Sequence, residues 1–195
     1  MSTALKRTSP TEYLDIDRAS EARYEYYFGE VIAMSGGSHN HSLISMNIGR
    51  EVGNSLKGTP CYTLNPDMRV KTATGVYTHP DATVVCGEPQ FDDGRNDVLL
   101  NPSVIFEVLS PSTEDYDRGK KLLHYRSIPS LKAYLLVSQD LARVECFSRN
   151  LDRSGWLLTE VFGVESVLQI PSLGIELRLS DAYDRVVFPR TDAAD

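Results

Sequence analysis

Apolar residues recur every four positions at Ile44, Ile48, Val52 and Leu56. That spacing predicts a helix over residues 41–57, ended by Gly58. Upstream, residues 11–17 (TEYLDID) read as a short helix, with Ser9 or Thr11 as its cap and Pro10 in its first turn. Residues 24–34 (YEYYFGEVIAM) read as two short strands broken at Gly29, and SGGSHNH reads as a loop. Residues 67–72 (DMRVKT) alternate like a polar edge strand. Residues 81–86, 103–109 and 133–138 are mostly or wholly apolar, the pattern of strands covered on both faces. A helix over about 113–127 separates the last two, with Ser112 or Thr113 as cap and Pro129 beyond its end. Residues 143–148, 156–162 and 173–179 read as further strands, with turns at 150–155 and 171–174. The order predicts an α/β or α+β fold, a mixed sheet flanked by helices.

Composition adds limits. A chain of 195 residues suits one domain, and 41% hydrophobic residues can supply a core. No apolar run approaches the roughly 20 residues of a membrane helix. The first residues, MSTALKRTSPTEY, lack the apolar stretch of a secretory signal, so a cytoplasmic location is expected. The net charge of −7 counts against coating nucleic acid by electrostatics alone and predicts weak non-specific DNA binding. It leaves room for a carboxylate-rich metal site, where the bound cation reverses the local sign. Cys61, Cys86 and Cys146 are odd in number and widely spaced. They are expected as small buried hydrophobes in a reducing compartment, with neither a disulfide framework nor a CxxC zinc site.

Three places carry candidate chemistry. Pro80 fixes the chain before Asp81, an acid at the first position of an apolar strand; a plain turn acid is the alternative. Glu107 lies within SVIFEVL. A carboxylate there either faces water or is buried at a cost of several kcal/mol, which a metal ion would offset. In the following helix, Asp117, Lys121 and Tyr125 are spaced by four and share a face. A surface ion pair would explain the first two. A lysine near a metal-bound phosphate would instead stabilise developing negative charge. Two carboxylates on adjacent strands offer hard oxygen donors suited to magnesium or manganese.

The succession YEYYFGEV, a helix from near His41, HPDATVV, SVIFEVLSPST, DRGKKLLHY and SIPSLKAYLLV resembles the Uma-type restriction endonucleases of the PD-(D/E)XK nuclease superfamily. The resemblance runs from about residue 11 to 180. It implies a restriction-endonuclease-like core and a homodimer that cuts DNA with magnesium or manganese. Asp81 and Glu107 would be metal ligands with the backbone carbonyl of Val108. The superfamily's usual lysine position, two residues after the second acid, holds Leu109 here; Lys121 takes that role by resemblance, with Lys120 as the less apt neighbour. Glu30, and less so Glu25, resembles an additional acid. His41 would support the phosphate or orient an acid. Ser138 stands where the family often has an aspartate, with Asp140 two residues later.

Other motifs carry little. His39-Asn40-His41 spells another nuclease class that uses dispersed residues, and Pro66–Asp67 precedes the more polar strand. No G-x-S-x-G surrounds Ser110 or Ser112, and no phosphate loop of the G-x-x-x-x-G-K type is present. A silent nuclease fold kept as an interaction or nucleic-acid-binding module is the rival expectation. Convergence of Asp81, Glu107 and Lys121 in space separates the two.

Overall fold

The computed structural model describes residues 7–150, 152 and 154–189. Helix α1 (Pro10–Ala19) begins at Ser9, whose Oγ accepts from the Glu12 amide while the Glu12 carboxylate accepts from the Ser9 amide. Strands β1 (Tyr24–Tyr27) and β2 (Glu30–Ala33) form the expected hairpin. Helix α2 (His39–Ser55) starts two residues earlier than its apolar period suggests. Ser38 Oγ accepts from the His41 amide at 3.0 Å, so the residues His39 to His41 lie in the first helical turn rather than in a loop.

Six strands follow: β3 (Cys61–Leu64), β4 (Arg69–Lys71), β5 (Tyr77–Thr78), β6 (Ala82–Cys86), β7 (Val98–Leu99) and β8 (Val104–Leu109). The predicted helix over 113–127 is three pieces. A short α3 (Glu114–Tyr116) passes into a π-helical turn (Asp117–Lys121) and then α4 (Leu122–Arg126). The chain closes with β9 (Ala133–Ser138), β10 (Arg143–Arg149), β11 (Trp156–Phe162), β12 (Val167–Ile170), β13 (Ile175–Arg178) and α5 (Leu179–Ala182).

The strands form a six-stranded sheet, β11-β10-β9-β8-β6-β3, a five-stranded sheet, β2-β1-β5-β4-β7, and the β12–β13 hairpin. Both larger sheets are mixed: β8 and β9 run parallel in the first, β4 and β7 in the second. Strand β4 is therefore internal, between β5 and β7, and not the edge strand its polarity suggested. All six residues of β8 are buried. Val104, Phe106 and Val108 pack with Ile44, Ile48 and Val52 of α2. Ile105 and Leu109 face the other way, toward Tyr125 of α4 and Val70 of the second sheet. By the two-residue period of a strand, Glu107 belongs to that second face.

The cysteine expectation is corrected. Cys61 and Cys86 lie opposite each other where β3 pairs antiparallel with β6, with Cα atoms 4.0 Å apart, and they form a disulfide. Cross-strand register brings them together, and their 25-residue separation in sequence does not show it. Cys146 remains a buried thiol.

Candidate active site

Asp81 precedes β6 and Glu107 sits one residue before Val108 near the end of β8. Strand β6 pairs with β8 from Ala82↔Phe106 to Val84↔Val104, so nothing of β6 lies opposite Val108. The Asp81 side chain fills that place: its Oδ2 accepts the Val108 amide at 2.7 Å. The Val108 carbonyl leaves the strand on the same side as its amide. His41 Nε2 lies 3.4 Å from Asp81 Oδ2, and both residues line the same cavity as Val108. Asp81, the Val108 carbonyl and His41 are thereby gathered at one point.

Lys121 comes to Glu107 from the π-helical turn. Its Nζ lies 2.8 Å from Glu107 Oε1, 3.0 Å from Glu25 Oε1 and 3.5 Å from Asp117 Oδ1. Lys121, Glu107, Glu25 and Asp117 are each no more than 7% exposed. The surface ion pair that the spacing allowed is excluded by this burial. Tyr125 donates to Glu107 Oε1 at 2.8 Å, and Tyr134 donates to the Asp117 carbonyl at 3.2 Å. Glu25 also accepts from the His79 amide at 3.4 Å. A second buried group stands behind it: Asp17 Oδ2 meets Arg69 and His79 Nε2, and His79 Nδ1 meets the Pro66 carbonyl.

Asp81, Glu107, Val108, Lys121, Asp117 and Glu25 all line one cavity of about 560 Å³. Its rim includes Ser110, Tyr116 and the glycine-rich segment before α2. At Gly37 of that segment, an added Cβ would come within 2.7 Å of His41 Nδ1. The absent side chain lets the loop close against His41.

The site carries excess negative charge. Burial raises the pKa of Glu107 well above its ordinary value; Lys121 opposes the shift, while Asp117, Asp81 and Glu25 add to it. Burial likewise raises Asp117, again against Lys121. Burial alone would discharge Lys121, but the combined field of Glu107, Glu25 and Asp117 outweighs it and holds the ammonium well above its ordinary pKa. For His41 too, burial is outweighed, here by Asp81, and the imidazole pKa rises.

The expected residues do not all converge. Glu30 is exposed at the start of β2 and does not line the cavity; Glu25, the second choice, occupies the inner position. Lys120 is exposed and lies 5.6 Å from the Tyr27 ring rather than among the acids. Tyr116 and Gln139, which also line the cavity, carried no signal in the sequence.

Among the described residues, no three His, Cys, Asp or Glu side chains gather as a ready-made metal cluster. The donor set here is two carboxylates and a backbone carbonyl. Their protein hydrogen bonds use Asp81 Oδ2 and Glu107 Oε1; among the described residues the other oxygen of each accepts none. Hard oxygen donors in surplus negative charge fit a divalent cation of the magnesium or manganese kind.

A mixed sheet flanked by helices, with two acids at the ends of adjacent strands and a lysine beside them, defines a restriction-endonuclease-like protein. The fold matches the crystal structure of a putative nuclease belonging to DUF820 from Anabaena variabilis. That match has a TM-score of 0.75 and 18% identity, over 91% of this chain and 98% of that one. At that identity it establishes the fold. Residues 10–180 match the model of the Uma2 family, described as a putative restriction endonuclease, and the chain belongs to that family. Two uncharacterized proteins of Synechocystis sp. (strain PCC 6803) are similar along their length. One is 35% identical over 96% of this chain and 97% of its own, the other 34% identical over 87% and 96%. No described helix is long and apolar enough to cross a membrane.

Proposed function

We propose that this chain is a metal-dependent endonuclease that hydrolyses phosphodiester bonds in DNA, with magnesium or manganese as its cofactor. Family membership supports a nuclease, and the reach of Lys121 to within 2.8 Å of Glu107 carries the reading. The position two residues after Glu107 holds Leu109, which is buried in the core, and an ammonium group arrives from the π-helical turn instead. π-Helical turns often lie at functional sites.

In this reading Asp81, Glu107 and the Val108 carbonyl hold the cation. A bound cation would supply Lewis acidity, lowering the pKa of water and offsetting charge on the phosphate. His41 fixes the orientation of Asp81, and Tyr125 fixes that of Glu107. Lys121, kept protonated by its carboxylate neighbours, faces the charge that grows on the phosphate oxygens. Glu25, rather than Glu30, is the accessory acid: it lies 3.0 Å from Lys121 Nζ and adds to the negative wall of the cavity. A homodimer with one site per strand would allow cleavage of both strands of a duplex.

Supercoiled plasmid and a structured RNA, each incubated with magnesium or manganese, test the reaction. The wild type is expected to nick the plasmid, and Asp81→Asn to be at least about a hundredfold slower. Equal nicking by both proteins would remove Asp81 from the chemistry, and cleavage of RNA alone would reassign the substrate.

A further inference from the structure

The two-residue turn between β1 and β2 carries a side chain its backbone does not call for. Phe28 has φ +48° and Gly29 φ +97°, the mirror-image turn that suits Asn, Asp or Gly at its first central position. A phenylalanine in the left-handed region is strained. Core packing does not compensate, because Phe28 is 46% exposed.

Its surroundings are aromatic and cationic. The Phe28 ring lies 4.9 Å from Tyr27 and 5.6 Å from His124, steeply inclined to both. Tyr27 contacts His124 at 5.2 Å and Tyr116 at 6.4 Å, and Lys120 Nζ lies 5.6 Å from the Tyr27 ring. His124 is pinned by Thr74, with Nδ1 and Oγ1 2.7 Å apart. This platform joins the catalytic cavity directly. Tyr116 lines the cavity, β1 carries Glu25, and the π-helical turn carries both Lys120 and Lys121.

We propose that Phe28, backed by Tyr27 and His124 and flanked by Lys120, is a stacking subsite for an unpaired nucleobase next to the scissile phosphate. The substrate would then enter as a single strand or a locally opened duplex. This rests on the nuclease reading and narrows its substrate class. Every nucleobase offers a flat π-face to such a ring, whereas bases inside a duplex have both faces covered by their neighbours. Lys120 supplies a cation for the adjoining backbone. The net charge of −7 fits the same scheme. A protein that gains little from the phosphate backbone needs a contact whose strength does not depend on counterion release.

The test is fluorescence anisotropy with calcium in place of magnesium. The probes are a fluorescein-labelled single-stranded DNA of about twelve nucleotides, the same strand with central abasic sites, and the matching duplex. The variant is Phe28→Asn, which suits the left-handed backbone and should melt no lower than wild type. The wild type is expected to bind the base-bearing single strand about 5- to 100-fold more tightly than the abasic one, and Phe28→Asn to erase that preference. Equal binding of the two strands by the wild type, unchanged preference in Phe28→Asn, or binding of duplex alone would overturn the subsite. Metal-dependent nicking by the wild type that is lost in Glu107→Gln would leave the nuclease reading standing whichever way the subsite falls.

Discussion

Lys121→Met and Glu107→Gln remove the two ends of one 2.8 Å contact, yet they should differ sharply in stability. Lys121 is buried against Glu107, Glu25 and Asp117. Removing its ammonium leaves three buried carboxylates without a countercharge, a change that costs about 3–5 kcal/mol. For a chain of this size that is a fall in Tm of roughly 6–20 °C. Glu107→Gln removes one charge from the surplus and leaves Lys121 with two partners, so its cost should stay within about 1 kcal/mol. The difference should also depend on pH. Burial holds the folded-state pKa of Glu107 above its ordinary 4.5. A group shifted that way favours folding below the unfolded value, and the benefit is lost as pH rises through the folded value. Without Lys121 the shift grows, so the Lys121→Met deficit should shrink toward pH 5 and widen toward pH 8. Urea unfolding in EDTA, followed by circular dichroism across that range, measures it. A Lys121→Met deficit below about 1 kcal/mol, or equal deficits for the two variants, would mean that Lys121 does not offset a surplus of buried negative charge.

The same surplus predicts that metal binding releases protons. Affinity for manganese should rise with pH, by up to about tenfold per unit, until Glu107 is fully ionised; a flat profile in buffered titrations would contradict it. The Cys61–Cys86 bridge closes a loop of 25-residue separation, so Cys86→Ser should cost about 3.5 kcal/mol by the chain-entropy relation. Dithiothreitol should lower the urea midpoint of the wild type but not that of the variant, and equal midpoints for wild type with and without reductant would refute it.

Much of this arrangement is legible in the sequence, and the gaps have physical causes. The apolar period of α2, the capping residues of α1 and the apolar runs of β6, β8 and β9 are local signals, and each lies where it was expected to within a few residues. Strands β3, β5, β7 and β12 were not: they are two to four residues long, too short for a period to show. Their existence depends on partners elsewhere in the sheets. Asp81 and Glu107 stood out because an acid inside or beside an apolar strand needs a compensating partner. Glu25 did not, because Tyr24, Tyr26 and Tyr27 around it gave no sign of which face is inside; Lys121, distant in sequence, decides that. Glu30, closer to the turn, faces solvent. The π-helical turn could not be read from the spacing of Asp117, Lys121 and Tyr125, which an unbroken α-helix would satisfy equally well. The cysteine pair was misread for a related reason, since register between β3 and β6 is a property of the sheet and not of either strand.

In the proposed reaction Glu107 holds a divalent cation used to cut a phosphodiester. Calorimetric titration of manganese into the wild type and into Glu107→Ala, with plasmid nicking followed on the same preparations, tests it most directly. Saturable binding and metal-dependent nicking are expected of the wild type, with both lost in Glu107→Ala. Absence of metal binding to the wild type, even with DNA present, would contradict the proposed reaction and favour a fold kept for interaction alone.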